Sequence, residues 1–314
     1  MVKSTDAAAA QTKSLPKRIA KFWWVYIFLA PGVIYLLFFN YYPMYGIVLA
    51  FKDYLVKEGI MGSPWSIPFY KHFIALYNDN QFGAVFFNTF RMGLGYILTS
   101  FPAPIILALM LNELRIGKYK KVLQTVYTFP NFLSWVIIGG VMVSFLSTDG
   151  LVNSLVKQLG GQSVSFLTNS SSIRPIMYGT NVWKTAGWSA IMYLAAIAGI
   201  NPELYEAASI DGAGRFARMY HITLPGIRPT ATIILILAFA GILNNGFDQI
   251  LNMTNPVVRP SVEIIDTYIY QKTFASTPNY GFSTAVGLSK SVINLVFLLL
   301  ANKITKLFGG DGIV

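Results

Sequence analysis

The sequence predicts an all-α integral membrane protein with about six transmembrane helices. Of its 314 residues, 54% are hydrophobic and 12% are charged, and this charged fraction is about half that of an ordinary soluble domain. The apolar residues lie in runs that reach the roughly 20 residues a helix needs to cross a bilayer. The composition excludes a conventional soluble protein, and the low charge also excludes intrinsic disorder.

Six apolar segments are predicted to span the membrane: 22–39, 84–111, 122–146, 175–200, 227–246 and 282–307. The first follows a basic tail, and its apolar run is long and lacks a clear small-residue cleavage site, so we expect an uncleaved signal anchor. The predicted organisation is a basic cytoplasmic tail at 1–21, one membrane domain at 22–308 and a short cytoplasmic tail at 309–314.

An even number of spans puts both termini on the same side of the membrane. Basic residues are more frequent on that side, in the first tail and in the loops after spans two and four, than on the other side. Because basic residues mark the cytoplasmic side, both termini are predicted to be cytoplasmic. This topology also accounts for the formal net charge of +11, so we expect contact with membrane lipid and no nucleic-acid partner.

Several kinds of reactive or ligand-binding site are absent from the sequence. It contains no cysteine, which excludes a thiolate metal site and a cysteine nucleophile. His72 and His221 lie far apart, and we expect no metal site. No Gly-x-x-x-x-Gly-Lys-Ser/Thr sequence occurs, so no nucleotide cofactor and no enzyme activity are expected on this chain.

The two long segments predicted to be external, 41–83 and 247–281, are rich in aromatic residues, and the first is also rich in proline and glycine. Such a segment can fold over the membrane surface and meet a partner. It can equally form the belt of aromatic side chains found where a membrane meets water. Both interpretations stay open at this point.

The connection between spans four and five, residues 201–225, is the most informative segment of the chain. Asn201 is a suitable helix cap, Pro202 suits the first helical position and Glu203 favours the positive end of the helix dipole. Asp211-Gly212 should end this helix. A second short helix is predicted from 214 to 222, and Leu224-Pro225 should stop it before span five.

A connection made of two short helices is longer than two spans require, since a simple connection needs only a few residues. The small side chains of Ala207 and Ala208 would let the first helix enter a cleft on another protein. Glu206 could then pair with a basic group in that cleft. The alternative is an amphipathic surface helix without a partner.

This segment resembles the EAA loop of the permease subunits of binding-protein-dependent ABC importers. The resembling residues are Glu206-Ala-Ala, Asp211-Gly-Ala and Ile222-Thr-Leu-Pro225. Other stretches are similar to the oligosaccharide branch of that family: Pro43-Met-Tyr-Gly, Phe101-Pro-Ala-Pro-Ile-Ile-Leu-Ala-Leu, Ala285-Val-Gly-Leu and Ser291-Val-Ile-Asn. The similarity runs from about Trp24 to Leu307.

The resemblance implies a cytoplasmic coupling helix that sits in a groove of an ATPase and passes its motion to the spans. The coupling residues it implies are Glu206, Ala207, Ala208, Asp211, Gly212, Leu224 and Pro225. It also implies partners: a second permease subunit in a heterodimer, two ATPase subunits that hold ATP and Mg²⁺, and an external solute-binding protein. The expected location is the inner membrane of a bacterial cell.

A polar pathway is predicted within the spans, because charged groups there are costly and usually face a cavity or a partner. Its predicted members are Arg91, Asn181, Lys184, Trp188, Asn244, Asn245, Asp248, Lys290 and Asn294. Arg91, Lys184 and Lys290 lie at similar depths on three spans, which suggests a positive ring. Such a ring would suit an acidic, alginate-like oligosaccharide, although permeases for neutral sugars can carry such lysines too.

Other interpretations of these residues remain open. Lys184 or Lys290 could snorkel to the external headgroups, or could pair with Asp248 or with a neighbouring subunit. Pro102 and Pro104 are predicted to kink span two, and the kink would serve either a gate or packing.

Two other classes of protein fit the sequence less well. An ion-coupled secondary transporter would normally carry carboxylates within its spans, and none lies in the middle of a predicted span. A membrane-embedded enzyme would need a convergent set of catalytic side chains, and none is evident. The sequence therefore favours the ATP-driven permease.

Overall fold

The computed structural model describes residues 22–114, 117–274 and 277–307, apart from the side chains of residues 304, 305 and 307. The described chain is nearly all helical, with one isolated antiparallel bridge between Lys52 and Trp65. The predicted tails at 1–21 and 309–314 lie outside the described residues. The helices, in chain order, are α1 (Trp23–Phe51), α2 (Gly59–Gly62), α3 (Lys71–Tyr77), α4 (Asn80–Ser100), α5 (Pro102–Asn112), α6 (Gly117–Thr128), α7 (Trp135–Leu146), α8 (Leu151–Gln158), α9 (Ser170–Ala198), α10 (Pro202–Ile210), α11 (Arg215–Arg218), α12 (Leu224–Ala240), α13 (Phe247–Met253), α14 (Arg259–Val262), α15 (Ile265–Phe274) and α16 (Tyr280–Leu307).

Five helical stretches among the described residues are long and apolar enough to cross a membrane. They are Trp23–Phe51, Asn80–Asn112, Trp135–Gln158, Arg215–Ala240 and Tyr280–Lys303. The predicted fourth span forms α9, which has 29 residues but is not among the five. α9 packs against α4, α5, α6 and α12. Because these neighbours cover much of its surface, α9 needs fewer apolar side chains than a helix that faces lipid.

The first predicted span is longer in the structure than in the prediction. α1 runs from Trp23 to Phe51 and includes a π turn at Leu37–Tyr41 and a 3₁₀ turn at Tyr45–Phe51. No residue of its first part, Trp23–Leu36, is buried. Most of that part is therefore open to contact with lipid or another subunit.

The predicted second span is divided where its prolines lie. α4 ends at Ser100 and α5 begins at Pro102, with Phe101 between them in a helical conformation. Pro102 is the first residue of α5, and its ring nitrogen cannot donate the helical hydrogen bond to the Leu98 carbonyl. The chain nevertheless continues in helical form through the division, and whether this point serves a gate stays a prediction.

The structure does not contain the continuous third span that was predicted at 122–146. α6 ends at Thr128, a 3₁₀ turn covers Phe129–Phe132, and α7 begins at Trp135. Leu133 and Ser134 have extended backbone, and the Ser134 hydroxyl caps α7. The apolar run hid two local signals, because Pro130 favours a helix start or stop and serine is a preferred helix cap.

The prediction that Leu224-Pro225 stops a helix is also wrong. The chain stays helical from Arg215 to Ala240, and Pro225 lies in the first turn of α12. A π turn at Met219–Thr223 immediately precedes α12. In a regular α-helix the Pro225 ring would press on the carbonyl of His221, and the wider π turn provides room there.

Candidate functional site

The helix α10 begins and ends as its local sequence predicts. Pro202 is its first residue, and the Asn201 side chain accepts a hydrogen bond from the backbone N–H of Glu203 at 3.1 Å. Glu203 is the acidic residue of the first turn, where it complements the helix dipole. The start of α10 is therefore determined by neighbouring residues alone.

The end of α10 is a Schellman motif built around Gly212. Gly212 has a φ of +76°, a left-handed conformation that glycine adopts without the Cβ clash of other residues. The Ala213 N–H donates to the Ala208 carbonyl at 2.8 Å, and the Gly212 N–H donates to the Ser209 carbonyl at 3.2 Å. These two bonds satisfy carbonyls that the end of a helix leaves free.

The predicted coupling surface is exposed in the isolated chain. Glu206, Ala207, Asp211 and Gly212 are all exposed, and Ala208 is partly buried. Large apolar side chains of the same segment are exposed as well: Ile210 is 87% exposed, Phe216 84%, Tyr220 68% and Leu204 52%. Exposed apolar surface is typical of an interaction site when it is contiguous.

Two side-chain hydrogen bonds tie α10 to the helix that leads into span five. The hydroxyls of Tyr205 and Thr223 are 3.0 Å apart. Arg218 donates to the Ser209 hydroxyl at 2.8 Å. Since Thr223 is the last residue of the π turn before α12, these bonds join α10 directly to the start of α12.

The beginning of α12 is in turn fixed to α5 and α9. Ile227 is buried with Leu109 of α5 and Tyr193 of α9 in one apolar cluster, and Leu224 packs against it. Pro225 is exposed beside this cluster. The predicted coupling surface is thus connected through α12 to α5 and α9.

A cavity of about 230 Å³ lies between α4, α9, α12 and the segment that follows α12. It contains Asn181 and Asn245, two of the predicted pathway residues, together with Tyr96 and Ser100. The Asn181 amide donates to the Ser100 hydroxyl at 2.8 Å. The remaining lining consists of five apolar side chains and two glycines: Ile97, Phe101, Ile234, Leu237, Ala238, Gly241 and Gly246.

Tyr96, Ser100 and Gly246 also line the cavity, and the sequence did not predict them there. Gly246 has a φ of +89°, and a Cβ there would lie 3.0 Å from the Tyr96 ring. Tyr96 also donates to Gln249 at 2.7 Å. The Asn245-Gly246 pair is a turn signal that could have indicated an irregular end of span five, whereas nothing local indicates Tyr96 or Ser100.

The predicted positive ring is not formed by free cations in this structure. The Lys290 ammonium lies 2.6 Å from the Asp266 carboxylate of α15, so it forms an ion pair, although with neither of the partners that we considered. The Lys184 ammonium donates to the backbone carbonyls of Asn131 and Leu133. Both ammonium groups are occupied because a partly buried charge must be paired or hydrogen-bonded.

The remaining predicted pathway residues are dispersed. Arg91, Asn244 and Asp248 are exposed. Trp188 packs edge-to-face on Phe132, with ring centroids 5.8 Å apart. Asn294 lies on α16, and its buried side-chain oxygen has no hydrogen-bond partner within the described residues. None of the five lines the cavity.

Comparison with known proteins identifies the class of this chain. Residues 92–308 match the family model described as "Binding-protein-dependent transport system inner membrane component". The chain belongs to this family. It is a multi-pass inner-membrane permease subunit of an ABC importer.

Individual relatives match along nearly the whole chain. Two proteins of Bacillus subtilis (strain 168) are each 42% identical: the polygalacturonan/rhamnogalacturonan transport system permease protein YteP and protein LplB. The matches cover 92% of this chain in both cases, and 90% and 91% of the respective relatives. A chain in the crystal structure of a bacterial alginate ABC transporter, in complex with an alginate pentasaccharide-bound periplasmic protein, has a TM-score of 0.86 at 37% identity, covering 96% of this chain and 100% of that one.

Proposed function

We propose that this permease moves an acidic oligosaccharide into the cell in steps driven by ATP hydrolysis on separate subunits. The observation that carries the proposal is the coupling loop: α10 is exposed on one side and joined on the other to α12 by the Tyr205–Thr223 and Ser209–Arg218 hydrogen bonds. An ATPase that grips α10 can therefore pull directly on a membrane helix. Alternating access of the cargo pathway follows from that movement.

The proposed assembly has a second, different permease subunit, two ATPase subunits with bound ATP and Mg²⁺, and an external solute-binding protein. The uncovered first part of α1 supports a neighbour within the membrane. The cavity supports it too, because its volume of about 230 Å³ is below the roughly 300–1,000 Å³ of ordinary ligand pockets. A second subunit would complete the pathway.

The proposed cargo is an oligosaccharide that contains uronic acids. The relatives point to this class, since polygalacturonan and alginate are both polymers of uronic acids. The amides of Asn181 and Asn245 and the hydroxyl of Ser100 offer hydrogen bonds to sugar hydroxyls in the cavity. The aromatic rings of Tyr96 and Phe101 in the same lining offer apolar contact to the faces of sugar rings.

Glu206→Arg tests the coupling loop. We expect the variant permease to insert normally, to lose its ATPase subunits on purification and to lose uptake, because the reversed charge repels a basic group in the ATPase groove. Glu58→Arg is the control, since it reverses another exposed carboxylate outside the coupling loop. Retention of the ATPase subunits and normal uptake by Glu206→Arg would contradict the proposal.

Uptake into proteoliposomes tests both the energy source and the cargo. We expect uptake of oligogalacturonate to require ATP inside, the ATPase subunits and the binding protein, and to exceed uptake of a neutral oligosaccharide of equal length. Uptake driven by an ion gradient without the ATPase would instead support a secondary transporter. Equal rates for both sugars would reject the acidic cargo while leaving the coupling mechanism intact.

A further inference from the structure

The interruption in the predicted third span lies against the middle of α9. The chain is helical up to Phe132, extended at Leu133 and Ser134, and helical again from Trp135. A break of this kind frees backbone groups that a bilayer cannot satisfy, since no water is present in its core. A side chain or a ligand has to replace the lost helical hydrogen bonds.

Lys184 of α9 supplies the missing donors. Its ammonium donates to the carbonyl of Asn131 at 2.9 Å and to the carbonyl of Leu133. The same ammonium lies 5.5 Å from the ring centroid of Trp135. A lysine ammonium has three donors and no acceptor, so it suits a pair of free carbonyl groups. On the other side of the break, the Ser134 hydroxyl accepts from the N–H of Ile137 at 3.3 Å.

Two further residues of α9 complete the contact with the interrupted span. A Cβ on Gly187 would lie 2.0 Å from the carbonyl oxygen of Tyr127, so only glycine lets the backbones approach this closely. Trp188 packs on Phe132, inside the 3₁₀ turn. Lys184, Gly187 and Trp188 together form what we call the seat of the break.

The seat lies halfway along α9. Lys184 is the central residue of the 29-residue helix Ser170–Ala198, which places it roughly 21 Å from either end at 1.5 Å per residue. The break therefore faces the middle of α9, and it separates α6 from the apolar helical stretch that begins at Trp135. A 3₁₀ stretch between two helical segments often marks a functional hinge.

We propose that the break at residues 129–134 is a hinge of the transport cycle, and that Lys184 is the positioning residue that stabilises its free carbonyl groups. Motion reaches the hinge along a continuous path, because α10 is bonded to α12 through Tyr205 and Thr223, and α12 packs against α9. Lys184 then follows the carbonyls of Asn131 and Leu133 as α6 turns relative to α7. This role rests on the proposed ATP-driven motion, and it removes Lys184 from the cargo-binding groups.

Spin labels test the hinge in the complete importer. The chain has no cysteine, so cysteines can be placed at Val126 on α6 and Val136 on α7, which are 59% and 66% exposed. We expect the distance between these labels to change between the nucleotide-free and vanadate-trapped states. The control pair, Val136 and Val143, lies within α7 and should not change. An unchanged α6–α7 distance in a complex whose ATPase subunits do respond to vanadate would overturn the hinge.

Substitution of Lys184 tests the positioning role. We expect Lys184→Met, which keeps the length and loses the donors, to lower the maximal uptake rate at least tenfold while the KM for cargo changes less than twofold. Lys184→Arg, which keeps donors, should retain at least half of the rate. The ATPase subunits should still co-purify with Lys184→Met, unlike with Glu206→Arg, so failure of the hinge is distinguishable from failure of the coupling loop.

Three results would overturn this role of Lys184. Normal uptake by Lys184→Met would show that the break needs no ammonium. A raised KM with a normal maximal rate would make Lys184 a cargo contact. Equal losses in the Arg and Met variants would remove the hydrogen-bond argument. If Lys184→Met does not assemble, the label measurement on the lysine-containing protein still decides the hinge.

Discussion

At the scale of single residues, backbone conformation gives the coupling loop its shape. Gly212 has a φ of +76°, and the turn it forms directs the chain from α10 into α11. Residues with a Cβ pay roughly 1–2 kcal/mol for this conformation. The glycine is therefore required by the geometry of the turn and not by contact with a neighbour, since a Cβ there would meet no atom within 4 Å.

Substitutions of Gly212 separate conformation from side-chain size. Gly212→Pro should abolish uptake while the permease still inserts, because proline fixes φ near −65° and removes the N–H that donates to the Ser209 carbonyl. Gly212→Ala should lower uptake less severely, and Gly212→Asn should retain most of it, since asparagine tolerates the left-handed region. Uptake assays on the three variants check this order. Equal activity of the proline and asparagine variants would show that the turn is not needed.

A second effect of a single residue is the pH dependence of stability that Asp53 gives to the segment 41–83. The Asp53 carboxylate accepts two hydrogen bonds from Lys71, each 3.0 Å long. The bond from Lys71 lowers the pKa of Asp53 below its ordinary value of 3.8, against a smaller rise from burial and with help from the Ser66 hydroxyl. A carboxyl with a lowered pKa stabilises the folded state above its unfolded pKa and loses that effect as pH falls.

The difference in Tm between the unsubstituted protein and the Asp53→Asn variant should therefore depend on pH. It should be constant from pH 7 to about pH 5 and should shrink as pH falls below the ordinary value of 3.8. Thermal unfolding of the purified protein across this range measures it. A difference that shrinks already near neutral pH would assign the effect to another group.

At the scale of helices, the link between α10 and α12 determines whether the loop can act as a lever. Tyr205→Phe and Thr223→Val each remove one hydroxyl of the 3.0 Å contact. Each should lower uptake about fivefold, since a hydrogen bond contributes about 1 kcal/mol, and the double variant should be no worse than either single one. Thr223→Ser keeps the hydroxyl and is the control. Additive losses would show that the two hydroxyls act separately.

The close contact between α6 and α9 gives a second prediction at this scale. Gly187→Ala should lower the free energy of unfolding by about 1–3 kcal/mol, because its Cβ would overlap backbone atoms that cannot move aside. Gly179→Ala is a matched control on the same helix, where a Cβ would meet nothing within 4 Å. Thermal unfolding of the two variants measures the difference. Equal stability would contradict the packing of α6 on α9.

At the scale of the whole molecule, the orientation in the membrane determines whether the coupling loop can act. The loop can meet an ATPase only if it faces the cytoplasm. The distribution of basic residues among the loops predicts this orientation, and it is a property of all the spans together.

Cysteine labelling measures the orientation directly, because the chain has no cysteine of its own. Leu159→Cys and Ile210→Cys are well matched, since these side chains are 88% and 87% exposed. A membrane-impermeant maleimide added to spheroplasts should label position 159 and spare position 210, and both should react after permeabilisation. Labelling of position 210 from outside would invert the topology and remove the ATPase contact.

An element could be predicted from the sequence when its signal lies close to it in the chain. The caps of α10 lie within a few residues of the helix they bound, and the structure contains them as predicted. The prediction of a continuous third span was wrong because a long apolar run does not show where a helix is interrupted. The prediction that a helix stops at Pro225 was wrong because a π turn lets the helix continue past the proline. Ser100 and Asn181 are 81 positions apart, so no local pattern could have joined them.

By itself, the sequence determined that this protein is an all-α membrane protein, where most of its apolar helices lie, and how α10 begins and ends. These properties follow from composition and from interactions between near neighbours in the chain. Only the tertiary structure decided that Lys184 binds the carbonyls of an interrupted span and that Lys290 pairs with Asp266. The reason is physical: a lysine in a membrane protein bonds to whichever free carbonyl or carboxylate the packing brings within reach, and that choice is made between distant segments.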